Sequence, residues 1–477
     1  MISLSLAEIA SIVGGQQHDI PDPDARVTGP VVFDSREVRP GSLFAAFAGE
    51  RVDGHDYAGR AVEAGAAAVL AARPVGVPAI VVDDVVAALG ALARAVVGRL
   101  GTSVVGLTGS AGKTSTKDLI GQLLSRSGPT VCPVGNLNNE IGLPVTALRA
   151  DADTKFLVLE MGARGIGHIR YLAELTPPRI GVVLNVGSAH IGEFGGREQI
   201  AQAKGELVEV LPTADEGGIA VLNADDPYVR AMASRTKART VFFGESADAA
   251  VRAENVRLTA LGQPSFTLHT PSGCSDVTMR LYGEHHVSNA LAAAAVAHEL
   301  GMPVDEIAAA LSEAGTLSRW RMEVTERADG VTVVNDAYNA NPESTRAALR
   351  ALVAMGEASK TTGGRTWAVL GEMAELGGES LAEHDAVGRL VVRLNVSKLV
   401  AVGGREAAWL DMGAKNEGSW GEESVHVSDA QAAIDLLRSE LRPGDVVLVK
   451  ASRSVGLERV AAALLDDDGV KGGAATR

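Results

Sequence analysis

The chain has 477 residues, 46% of them hydrophobic and 22% charged, and a formal net charge of −15. That length suggests about three domains of roughly 150 residues each, with apolar material for several cores. The acidic balance excludes a nucleic-acid backbone as main partner, because two polyanions repel, yet leaves room for a small anion at a local positive site. The 54 glycines and 4% aromatic content suit an α/β protein with many tight loops. Cys132 and Cys274 have no pairing or metal-ligand spacing, as in a reducing compartment. The start, MISLSLAEIASIVGG, has Glu8 and no basic leader, so it does not read as a signal peptide. No apolar run reaches the about 18 residues of a membrane span. A cytoplasmic monomer is the expectation.

In chain order, residues 1–100 form a first block, with short strands at 31–33 and 42–47 and an Ala-rich helix at 83–99. A second block, 101–315, opens on TSVVGL (102–107), a strand-like run, followed by Gly109-Ser110-Ala111-Gly112-Lys113-Thr114-Ser115. A helix-period segment with Leu119, Ile120, Leu123 and Leu124 on one face comes next. A Gly-rich turn between strand and helix aims backbone N–H groups at one spot, where the helix dipole also favours an anion. Lys113 supplies charge for β- and γ-phosphates, and the Thr114 hydroxyl suits Mg²⁺. The usual pattern has its first Gly where Leu107 stands. The strand–turn–helix context still predicts a nucleoside triphosphate site.

Further strands are predicted at 156–159, 180–186 and 219–222, alternating with helices as in a parallel sheet. Glu160 closes FLVLE, where such sheets place ligand groups; a carboxylate there would hold a Mg²⁺ bridging phosphates, or be an ordinary strand end. His190 ends IGVVLNVGSAH in the same way and stands open between ligand and solvated loop histidine. In REQIAQAKGELVEVL, Lys204 lies within the stripe Ile200, Leu207, Val208, Leu211. One reading is a lysine snorkelling from the helix end. The other is a buried, neutral amine, the form that takes up CO₂ as a metal-binding carbamate.

Residues 250–283 read as hairpin material and 286–300 as an Ala-rich helix. The third block, 316–477, has strands at 331–334, 367–370, 398–402 and 446–449 in a parallel open sheet, and the tail DDDGVKGGAATR reads as disordered.

TGSAGKTST, VLEMGARGIGHI, NVGSAHIGEFG, AKGEL and GEHHVSNALAAAA stand in the order and spacing of the Mur ligases, the ATP-dependent enzymes that build the peptide stem of bacterial cell-wall precursors. DSREVRPGSLF, DGHDYA, GNLNNEIGLP, RMEV, NDAYNANPES and LGEMAELG resemble the member that acts on UDP-N-acetylmuramoyl-tripeptide and D-alanyl-D-alanine. The resemblance covers essentially the whole chain. It implies a three-domain α/β architecture: a UDP-substrate domain (1–100), a central phosphate-loop ATPase-like domain with a parallel sheet (101–315), and a C-terminal Rossmann-like domain (316–477). It implies ATP and two Mg²⁺ ions, with Thr114 and Glu160 on the metal, His190 on a second ion, and Lys204 at the position carbamylated in sister ligases. Residues 109–115 would cradle phosphate, Asn289 would reach the adenine, and Arg321 and Asp336 would close over ATP. Lys113, Lys204, His190 and Arg321 form the implied catalytic set. Ser35, Arg36, Asp53 and His55 would hold the uridine nucleotide, and Asn136, Asn138, Asn139 and Asn339 would face substrate. One departure is Ser318-Arg319-Trp320 ahead of Arg321, where a Gly often sits, which leaves the phosphate role open between Arg319 and Arg321.

Two alternatives stand beside this. A sister amide ligase, third-residue-adding or folylpolyglutamate synthase-like, shares the architecture but not NDAYNANP with DSREVRPGSLF. A phosphate-loop ATPase switch would turn over ATP without an acceptor and leaves Lys204, His190 and the first block unexplained.

Overall fold

The computed structural model describes residues 1–49, 52–133, 135–187, 191–360, 363–418 and 421–466. His190 and the tail from 467 onward lie outside the described residues.

The first sheet has the strand order Gln16–His18, Ala79–Val81, Ala68–Ala71, Leu43–Ala45, Val31–Val32, parallel except for its first pair. The helix Val85–Arg99 starts where the Asp84 carboxylate accepts from Val86 N and Ala87 N at 2.8 and 3.1 Å. Such a cap satisfies donors the helix cannot. Its buried face, with Leu89, Leu92 and Val96, joins the core that continues under the central sheet.

The central sheet has nine strands, in the order Gly273–Thr278, Pro264–Thr270, Val251–Leu258, Arg239–Gly244, Ile219–Asn223, Ile180–Val183, Ser103–Thr108, Phe156–Glu160, Thr130–Val131. It is parallel up to Val251–Leu258, and the last three strands pair antiparallel, as the hairpin reading of 250–283 predicts. Ser103–Thr108 lies between Phe156–Glu160 and Ile180–Val183, so the crevice at their carboxyl ends is a switch point of the kind that takes ligands. The strand from 180 ends at Val183 rather than 186, because Asn185 turns to the phosphate loop.

The helix Lys113–Leu124 buries Leu119, Ile120, Leu123 and Leu124 as its period predicts. Against it packs His285–Glu299, whose run Ala292–Ala295 is fully buried.

The third sheet has the order Glu323–Glu326, Thr332–Asn335, Val446–Lys450, Thr366–Leu370, Lys398–Val402, Ser424–Val427. It is not wholly parallel: Glu323–Glu326 adds an antiparallel edge. This strand, EVTE, has three exposed residues and a single neighbour, so it needs no apolar run on either face. No helix among the described residues is long and apolar enough to cross a membrane.

Candidate active site

The phosphate loop leaves Ser103–Thr108 and enters Lys113–Leu124 through Gly112, at φ +79°. A side chain there would be strained, and its Cβ would lie 2.5 Å from Asn289 Oδ1. Asn289 also accepts from Thr116 Oγ1 at 3.2 Å, so it braces the loop from the Ala-rich helix. The helix has no side-chain cap, which leaves its first-turn N–H groups for an anion. The earlier half of the loop is occupied differently: Asn185 Oδ1 accepts from Ser110 N and Ala111 N, each at 2.9 Å, and its amide donates to Ala111 O at 3.1 Å. Sequence reading overlooked Asn185, although it stands in the NVGSAH motif.

A cavity of about 730 Å³ opens above this loop. It is lined by Ser110–Ser115, Asn136, Asn138, Asn139, Glu160 and Lys204 from the central block, Phe33 and Phe47 from the first, and Arg321, Tyr338 and Asn339 from the third. Glu160 is 2% exposed. Its Oε2 accepts from Thr114 Oγ1 at 2.8 Å and its Oε1 from Asn138 Nδ2 at 2.7 Å. Lys113 Nζ donates to Gly109 O at 2.8 Å. Burial lowers the Lys113 pKa, and the Glu160 charge opposes that fall.

Lys204 is 5% exposed and has no carboxylate partner among the described residues. Burial, and next the Lys113 charge, push its ammonium well below the usual lysine range. Its burial speaks against the snorkelling reading left open by the sequence. Its helix Arg197–Glu209 is held by Glu206, which accepts from Gly167 N and Arg170 N at 2.5 and 3.1 Å, at the start of the helix His168–Leu175.

Arg321 stands with its guanidinium 4.1 Å from the Tyr338 ring centroid and Nη2 3.4 Å from Thr114 Oγ1. Its Nε is buried without a hydrogen-bond partner among the described residues. Arg319 is exposed and does not line the cavity. Tyr338 also donates its hydroxyl to Asn136 Oδ1, joining the third block to the central one. Trp320 takes φ +60°, a backbone conformation that favours glycine, under the stacked Arg453 at 4.3 Å.

Several residues singled out in the sequence serve the fold locally. Asn139 Oδ1 caps the turn at Gly142 N, 2.8 Å. Asp336 accepts from Met322 N at 3.1 Å and from Lys450 Nζ at 2.6 Å, and neither it nor Asn289 lines the cavity. Nor do Ser35, Arg36, Asp53 or His55. Arg36 pairs with Asp34 at 2.6 Å and holds that carboxyl down to about 2. His55 Nε2 accepts from Ala72 N at 3.0 Å, so its Nδ1–H faces Asp53 Oδ1 at 2.6 Å, and both ring nitrogens are occupied. In the first block it is Phe33 and Phe47, centroids 6.0 Å apart, that reach the cavity. The signal for them was a large apolar residue left 41% exposed at a strand end, visible only once the strand is placed.

Family models match residues 30–97 (Mur ligase family, catalytic domain), 107–297 (Mur ligase middle domain) and 320–453 (Mur ligase, glutamate ligase domain). The UDP-N-acetylmuramoyl-tripeptide–D-alanyl-D-alanine ligase of Mycobacterium tuberculosis (strain ATCC 25618 / H37Rv) is 52% identical over 98% of this chain and 99% of that protein. The chain belongs to the Mur ligase family. Among solved structures, crystal structure I of MurF from Acinetobacter baumannii matches with a TM-score of 0.85 at 31% identity, covering 97% of this chain and 99% of that one. The MurF ligase of Thermotoga maritima in complex with ADP matches at 0.79 and 32% identity, covering 94% and 99%. As a Mur ligase the chain is an ATP-dependent ligase, with the three-domain α/β architecture of that family.

Proposed function

We propose that this ligase joins D-alanyl-D-alanine to UDP-N-acetylmuramoyl-tripeptide, with ATP cleaved to ADP and phosphate. The observation that carries the reading is the cavity lined from all three blocks, in a chain whose full-length relative bears that name. The UDP end lies toward the first block (1–100), where Phe33 and Phe47 offer an apolar rim, with Ser35, Arg36, Asp53 and His55 in the turns that follow them in the chain. ATP lies on the central block (101–315), its phosphates on residues 109–115 and its adenine toward Asn289. The third block (316–477) brings Arg321 and the dipeptide.

The carboxylate oxygen of the tripeptide attacks the γ-phosphorus, ADP leaves, and an acyl phosphate forms. The dipeptide amine then attacks the acyl carbon, loses a proton, and phosphate departs. Lys113 and Arg321 supply fixed positive charge where negative charge spreads over the transferring group. The Arg321 Nε, without a partner among the described residues, is a donor for that role. Asn138 orients Glu160, and the Tyr338–Asn136 bond holds the roof that keeps water from the acyl phosphate.

The donor set fits Mg²⁺, which is held by one or two carboxylates plus substrate phosphates: Thr114 and Glu160 pair buried oxygens beside the phosphate loop. His190 and a carbamate on Lys204 would serve a second ion, and bound Mg²⁺ would neutralise phosphate charge. We place the enzyme in the cytoplasm as a monomer.

The test is phosphate release from ATP with the UDP-tripeptide, with D-alanyl-D-alanine, with both, and with neither. Release only with both, at one peptide bond per phosphate, supports the reading. Response to a different amino acid moves the chain to a sister ligase, and release with neither makes it an ATPase switch.

A further inference from the structure

The face of the phosphate-loop helix that begins with Thr114 carries, further along, residues that the chemistry above does not use. Thr114, Asp118 and Gln122 recur every fourth residue, so they lie in one row along it, and Arg126 continues the spacing just past the last helical residue, Leu124. Down that row runs the segment 313–321, in the opposite direction, and it meets each position in turn. Arg321 Nη2 is 3.4 Å from Thr114 Oγ1. Ser318 Oγ donates to Asp118 Oδ2 at 2.6 Å. Gln122 both accepts from Gly315 N at 3.0 Å and donates to Gly315 O at 3.1 Å. Arg126 pairs with Glu313 at 2.5 Å.

The Asp118–Ser318 rung is buried on both sides, and the Gln122–Gly315 rung is half-buried. Asp118 and Ser318 are 6% and 4% exposed, and the other Asp118 oxygen lies 2.8 Å from Lys117 Nζ. Lys117, fully buried, also donates to Pro133 O and, at 2.9 Å, to Gly135 O. Gly135 N donates to Ser318 Oγ at 3.3 Å, which closes the network. A buried ion pair is weak as a source of stability and is better understood as a device that fixes geometry. Here it joins the phosphate-loop helix, the loop leading to Asn136 and Asn138, and the segment leading to Arg321.

We propose that this ladder is a positioning device for the reaction: Ser318, Asp118 and Gln122 set the register at which Arg321 meets the phosphate loop, while Lys117 sets the Asn136–Asn138 loop against Glu160. The segment stays docked on the helix as far as Ser318, and Arg321 is delivered three residues beyond the last buried rung. The inference rests on the proposed phosphate role of Arg321 and adds the residues that act through it.

The experiment measures kcat, KM for ATP and Tm for Ser318→Ala, Ser318→Thr and Gln122→Ala, each in the parent and in an Arg321→Ala background. Ser318→Ala removes one hydroxyl and leaves Asp118 paired with Lys117, so folding is preserved. Expected are an about tenfold fall in kcat for Ser318→Ala with KM for ATP within about twofold, and near-parent kcat for Ser318→Thr, which keeps the donor. In the Arg321→Ala background the same change costs less than about twofold, because the group it positions is gone. Gln122→Ala, a second rung, follows the same pattern more weakly. An equal fall in both backgrounds, or parent kcat in Ser318→Ala, overturns the proposal. If Arg321→Ala alone keeps parent kcat, the phosphate role of Arg321 has failed and the ladder has nothing to position; that result is told apart because it arises without touching a rung.

Discussion

Removing the Tyr338 hydroxyl isolates one of the contacts by which the third block touches the central one. Tyr338→Phe deletes the bond to Asn136 Oδ1 but keeps the ring that carries the Arg321 guanidinium at 4.1 Å. A neutral hydrogen bond is worth about 1 kcal/mol net, and Asn136, at the cavity wall, finds water when its partner goes. The variant therefore loses about fivefold in kcat/KM for ATP. Tyr338→Ala also removes the stacking surface, roughly a further 1 kcal/mol, and reaches about thirtyfold in total. Burial raises the Tyr338 pKa, so the phenol stays a donor throughout neutral and mildly alkaline assays. Initial rates of phosphate release at subsaturating ATP, with both acceptor and dipeptide present, read the effect, and Tm serves as the folding control. Equal rates for Tyr338→Phe and the parent would refute the role of the bond, and equal rates for the two variants would refute the role of the ring.

Three other substitutions probe different parts of the molecule. Lys204→Met removes a buried amine that has no carboxylate partner among the described residues and whose folded pKa is lowered, so below the usual lysine pKa the unfolded chain binds the extra proton and folding is penalised. The variant should have a higher Tm at pH 7, a gain that shrinks as pH rises toward 10.5; a lower Tm at pH 7 would contradict the buried-amine reading. Its activity should be lost, and Lys204→Ala should be rescued by short carboxylic acids; full activity without them would remove Lys204 from the metal site. Phe33→Ala should raise KM for the UDP substrate about fivefold, one aromatic contact, with kcat little changed; a pure kcat effect would place Phe33 elsewhere in the reaction. Asp53, held down to about 2 first by the backbone N–H of His55, stabilises the fold above the usual carboxylate value and loses that contribution as pH falls toward 2. In Asp53→Asn the urea midpoint should fall at pH 7 and vary less between pH 4 and 2; an unaltered acid slope would count against it.

What the sequence made legible follows from where each signal is local. The phosphate loop and Glu160 could be read because strand, turn and helix carry their own periodicity, and Phe156–Glu160 pairs with Ser103–Thr108 in full register. Lys204 was legible as an anomaly, a cation inside an apolar stripe, whose resolution needed the burial that only packing provides. The edge strands Glu323–Glu326 and Ser424–Val427 went unread because each has one neighbour and a polar face, so neither needs an apolar run. Asp53 and His55 stood out as a polar motif, yet their pairing is set by Ala72 N, 17 residues downstream, and turns them inward to the fold. The Asp118–Ser318 rung spans 200 residues, beyond any pattern a window along the chain can contain.

The three hydrogen bonds between the Asn185 side chain and the loop at Ser110 and Ala111 come from within the chain. The curvature of this loop is thus settled when the domain folds, and its ordering entropy is met then rather than on each encounter with nucleotide. Affinity is spared that deduction. The same arrangement makes the site vulnerable at a distance from its ligand: a change at Asn185 would be felt as weaker nucleotide binding even though no phosphate contact had been removed.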